Sequence, residues 1–128
     1  MAAISNYLEN ALINGTLRAT NYTAPSTVYV ALFTSDPTDA GSGTEVSGAS
    51  YARQSASFAS PSNGASSTNA DIQFPQAGGS WGTITHFGIY DASTSGNLLY
   101  HGALTVSKTI DTGDVFKIAS GSLTVTLA

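Results

Sequence analysis

Two β-rich runs, Thr83–Tyr90 and Asn97–Val106, dominate the hydropathy pattern, with Asp91, Ser93, Thr94, Ser95 and Gly96 between them. Apolar runs flanking a polar, glycine-containing punctuation predict an antiparallel hairpin with a loop of several residues. Apolar residues occupy both faces of each run: Ile84 and Tyr90 against Phe87 and Ile89, then Leu98 and Leu104 against Leu99 and Ala103. A hairpin open to water on one side alternates more cleanly, so this pair is expected at the centre, covered on both sides. Thr27–Thr34 has the same two-sided apolar character and reads as a second central strand.

Residues 4–18 carry the only helical pattern, with Ser5 as N-cap and Tyr7, Leu8, Ala11 and Leu12 at helical spacing. Asn14-Gly15 is the natural stop, unless Leu17 continues the apolar stripe. A helix this short is marginal alone, so its Tyr7/Leu8/Leu12 face must dock on the sheet or on another subunit. Further strands are expected at Tyr51–Phe58, of weaker amphipathicity, Ile72–Phe74, Val115–Ile118 and Leu123–Leu127, the last half-buried with Leu123, Val125 and Leu127 inward. Ser35–Gly48 and Ala59–Ala70 read as long polar loops. The elements predict one mainly β domain over residues 1–128: an antiparallel β-sandwich, jelly-roll-like, of seven to eight strands with one N-terminal helix.

Composition narrows the function. Only 9% of the 128 residues are charged, against roughly 25% in ordinary soluble domains, and the net charge is −4. Arg18, Arg53, Lys108 and Lys117 are the only Lys and Arg residues and do not cluster, which argues against a nucleic-acid partner. Cysteine is absent, so disulfides and thiolate metal sites are excluded. No stretch has the length of a membrane span, and the N-terminus has no secretory pattern. A surface of hydroxyls and amides offers little Coulomb resistance to close packing against neighbours.

The chemistry-bearing residues are sparse. Asp36, Asp39 and Glu45 on a glycine-rich loop have the ligand type of a hard cation, but not the spacing of an EF-hand, and a solvated loop is expected. His86 and His101 sit opposite each other if the hairpin pairs residues whose numbers sum to about 187. Two imidazoles lack the third and fourth ligands of a zinc site. No nucleophile elbow, phosphate loop or spaced triad occurs, so neither an enzyme nor a cofactor is expected.

The segments YVALFTSDPTDAG (Tyr29 to Gly41), SYAR (Ser50 to Arg53) and THFGIYDAS…GNLLYHGAL (Thr85 to Leu104) resemble a family of small bacteriophage virion proteins often labelled phage tail fiber protein. The resemblance covers nearly the whole chain and implies a non-enzymatic structural protein of the virion. A compact domain without repeats or a shaft fits a capsid decoration (cement) protein on the outer surface of the major capsid protein lattice. By analogy with such proteins, a homotrimer is expected. Tyr7, Leu8, Leu12, Asp36, Asp39 and Glu45 are then the expected intermolecular contacts. A tail fibre or tail-associated adhesin is the alternative placement. A carbohydrate-binding module using Trp81, Tyr90 and Tyr100 as a stacking platform is the alternative class.

Overall fold

The first strand of the hairpin forms the middle of the sheet, whereas the second is covered only through Gly102 and mostly exposed from Ala103 to Thr109. In the computed structural model, which describes residues 2–127, β6 (Gly82–Tyr90) pairs antiparallel with β7 (Leu98–Ile110). Chain order before them is β1 (Ala3–Ile4), α1 (Asn6–Leu17), β2 (Val28–Phe33), β3 (Gln54–Ala56), β4 (Ala65–Ser67) and β5 (Ile72–Gln73). After them come β8 (Lys117–Ile118) and β9 (Thr124–Thr126). The main sheet has the order β1-β7-β6-β2-β3, and β4–β9 and β5–β8 form two small ribbons. Every pairing is antiparallel.

Alternation along the central strands gives the sheet two buried faces. Val30, Leu32, Phe87 and Ile89 point into the main core, where they meet Ile72, Phe74, Phe116, Ile118 and Leu123 from the ribbon side. The ribbons thus supply the second layer of a sandwich-like fold. Trp81 closes this core, its indole N–H donating to the Ala49 carbonyl at 2.9 Å and its ring edge-on to Tyr51. On the opposite face Ala31, Phe33, Tyr90 and Leu98 form a smaller cluster, with Phe33 and Tyr90 stacked 6.3 Å apart. Gly88 lies beneath it, and a Cβ there would stand 3.0 Å from both Leu98 and Phe33.

Two expectations are corrected by the register and a third by exposure. The hairpin pairs Gly88 with His101 and His86 with Ala103, so the two histidines are diagonal neighbours and do not face each other. Half of that offset is set by the loop, which already pairs Tyr90 with Leu98, and half by the irregularity between Ile89 and Tyr90. A bulge between Ile84 and His86 turns Ile84 to the same core as Phe87, whereas strict alternation put them on opposite faces. Leu127, expected inward, is 44% exposed.

The helix starts where expected, with Ser5 extended and its hydroxyl accepting from the Leu8 N–H at 3.2 Å. It runs through Gly15. The Asn14 carbonyl accepts from the N–H of Arg18 and of Thr20, and Ala19 takes the left-handed turn at φ 56°. The 59–70 stretch, expected to be a loop, contains β4. Asn63 and Gly64, both at positive φ, make a two-residue turn between Ser62 and Ala65.

Candidate interaction surface

Arg53 organises one end of the domain. Its side chain is 8% exposed, and its Nε and Nη2 donate to the two oxygens of Glu45, each at 2.9 Å. Its Nη1 donates to the carbonyls of Ala92 at 3.0 Å and Ser95 at 2.7 Å, and the guanidinium lies over the Tyr90 ring. Tyr51 completes the group: its hydroxyl donates to Glu45 at 2.7 Å and accepts from the Leu32 N–H at 3.0 Å. One fork-shaped cation therefore ties the 35–48 loop, the chain before β3 and the β6–β7 loop together.

The titration of these groups follows from their surroundings. Burial, then the hydrogen bond to Glu45, pushes the Tyr51 phenol well above its ordinary range. Burial opposes the charge on Arg53, but the Glu45 carboxylate outweighs it and the guanidinium is held more firmly protonated. Burial also raises Tyr90. The group is a closed ion-pair network whose donors already have acceptors.

The second polar junction joins the helix start to β7. The His101 ring, 9% exposed, places Nε2 2.7 Å from Asp39 Oδ1 and Nδ1 3.9 Å from Asp36 Oδ1. The Asn6 N–H donates to the Asp39 carbonyl at 2.9 Å, and the Ser5 N–H to the Leu99 carbonyl at 2.9 Å. Both imidazole nitrogens thus face carboxylates. Asp36 also accepts from the Thr38 N–H, an Asx turn that shapes its own loop.

The expected contact residues divide accordingly. Tyr7, Asp36 and Asp39 remain exposed at the surface, whereas Leu8 is buried and Leu12 half-buried by the protein's own sheet. The Leu8 face is thereby an intramolecular one, and Glu45 is held by Arg53 and Tyr51. Asp36 and Asp39 share His101, while Glu45 serves Arg53 and Tyr51. Ile13 and Leu17, a helical turn apart on the side away from Leu8, are 53% and 79% exposed, so the helix reaches Leu17 without Leu17 continuing the buried stripe. The stacking platform is not assembled: Trp81 belongs to the main core, and Tyr90 belongs to the opposite cluster beneath Arg53.

A double-faced antiparallel sheet whose buried ions tie its own loops together defines a structural module, built to hold shape and present a weakly charged surface. The family model described as Podophage GP4 fiber I protein gp80 matches residues 3–126. The chain belongs to that family and is a bacteriophage virion structural protein. No curated protein matches it.

Proposed function

We propose that this chain is a non-enzymatic subunit of a fibre on the phage particle, acting by adhesion to other virion proteins. The match to a fibre family over residues 3–126 is the observation that carries this reading. The site chemistry supports it. The best-buried ions, Arg53 with Glu45, are mutually satisfied, and the imidazole of His101 has carboxylates at both nitrogens. Neither group is aimed at a nucleophile, and association through a surface poor in charge needs none.

The capsid decoration reading is the second one. Its support is the compact sandwich-like β fold of the described residues, which suits a homotrimer sitting on the major capsid protein lattice, where avidity multiplies modest contacts. Labelling purified particles with an antibody to this chain and imaging them separates the two. Density on the tail supports the fibre, density over the head supports decoration, and absence from particles overturns both.

A further inference from the structure

The chain holds two Asn-Gly pairs, Asn14-Gly15 and Asn63-Gly64, and the fold treats them oppositely. In α1, Asn14 is half-buried, and the helical ladder carries the Gly15 N–H to the carbonyl four residues back. Asn63 and Gly64 are exposed at the tip of a turn, at φ 52° and 79°. Among the described residues the Gly64 N–H has no acceptor. A Cβ on Gly64 would stand 2.8 Å from the Leu127 carbonyl oxygen, so the turn needs glycine there. The same missing side chain leaves the Gly64 nitrogen unscreened.

Asparagine is thermolabile because its side-chain amide is an electrophile close to the next backbone nitrogen. We propose that Asn63 is a site of spontaneous deamidation and that the change loosens β9. The Gly64 nitrogen gives its proton to hydroxide and attacks Asn63 Cγ. A C–N bond forms, the Cγ–Nδ2 bond breaks, and ammonia leaves with a proton from water. Water then opens the five-membered imide, giving aspartate by attack at Cγ or isoaspartate by attack at the main-chain carbonyl. One amide is exchanged for one carboxylate, and the net charge of −4 becomes one unit more negative. The ring closes as the turn opens, and little resists the opening. Among the described residues the turn is held by two Ser62–Ala65 backbone bonds and by the Leu127 N–H on the Gly64 carbonyl, at the end of a ribbon of three residue pairs. Local opening there costs less than unwinding a helix interior to free Gly15. Isoaspartate adds a methylene to the main chain of a two-residue turn, so Ser62 no longer meets Ala65 squarely. β9 is then held by fewer bonds, and Val125, which packs on the main core, loses cover.

The test is mass spectrometry of the full chain after incubation at mildly alkaline pH. Trypsin leaves Asn14 on residues 1–18 and Asn63 on residues 54–108, so the two are read separately. In the folded chain the amide-to-acid mass gain should accumulate at Asn63 at least about tenfold faster than at Asn14. In denaturing urea the two should react at similar rates, which shows the difference to come from the fold. Enzymatic methylation of the free α-carboxyl should detect isoaspartate at position 63. Amides of residues 124–127 should exchange hydrogen faster in that fraction than in the unaged chain. A folded-state rate at Asn63 no greater than at Asn14 overturns the proposal, and so does a gain in residues 54–108 that falls on Asn69 or Asn97 with Asn63 intact. Unchanged exchange at 124–127 in the isoaspartate fraction overturns the loosening of β9.

Discussion

The Arg53 guanidinium carbon lies 3.8 Å from the centre of the Tyr90 ring, at the point where three loops meet. The stacking covers the face of the cation, while its edge binds Glu45, Ala92 and Ser95. Face and edge are satisfied separately, which only a planar cation allows. This pair explains why a chain with so few charges keeps an arginine almost out of water.

Arg53→Ala should therefore destabilise the fold by about 3 kcal/mol, because it strands the Glu45 carboxylate and uncovers Tyr90. Arg53→Lys should recover less than half of that, since a lysine cannot make the fork. Urea unfolding of the three proteins measures both. A loss under about 1 kcal/mol for the alanine variant would show the network to be superficial.

Gly88→Ala should cost about 1–3 kcal/mol by overpacking. Its methyl would stand 3.0 Å from Leu98 and Phe33 and 3.1 Å from Tyr90, all held in one cluster. Pairing it with Leu98→Ala should restore part of the loss, and a thermal melt of single and double variants reads the coupling.

Ala19→Gly should stabilise the protein by about 0.5–1 kcal/mol. The helix end puts Ala19 at φ 56°, a conformation that a Cβ disfavours and glycine adopts freely. Chemical denaturation should show a higher midpoint with an unchanged slope, and a lower midpoint would contradict the cap assignment.

Asp71 gives a pH dependence with a definite sign. The Ser120 N–H, and after it Lys117 at 3.2 Å, hold its carboxyl below the ordinary value. A depressed folded-state pKa contributes stability in full above the unfolded value, near pH 3.9, and loses it as pH falls through the folded one. Asp71→Asn should flatten the acid limb of stability against pH while leaving the neutral-to-basic limb unchanged. A proton titration of the wild type by NMR checks the direction.

Much of the sheet was legible because the signals were local and strong. β2 and β6 carry apolar residues on both faces, and a strand with two apolar faces has few places to go but the middle of a sheet; β7 follows that rule only as far as Gly102, and from Ala103 to Thr109 it is mostly exposed. Ser5 announced the helix start in the same way. The pieces that were not legible depend on distant partners: β1 is two residues long and exists by pairing with Tyr100 and His101. Asn63-Gly64 is itself a hairpin signal, but it lies amid serines and alanines of low complexity with no apolar runs to flank it. The Arg53 network draws on residues up to 42 positions away, and no spacing rule connects them. Tyr51 and Glu45 near the same arginine were the available hint, since a carboxylate and a phenol that close in sequence can converge on one guanidinium.

The Arg53 junction also constrains how relatives of this chain can diverge. Lengthening the β6–β7 tip would carry the Ala92 and Ser95 carbonyls off the guanidinium, and shifting the 35–48 loop would withdraw Glu45, so neither can drift without the other. Changes in length are thereby steered toward the Asn63-Gly64 hairpin, whose turn, among the described residues, is anchored by its own strand and by the Leu127 N–H. Variation in host or assembly partner across the family should accumulate at that end of the domain, with the arginine end inherited as a unit.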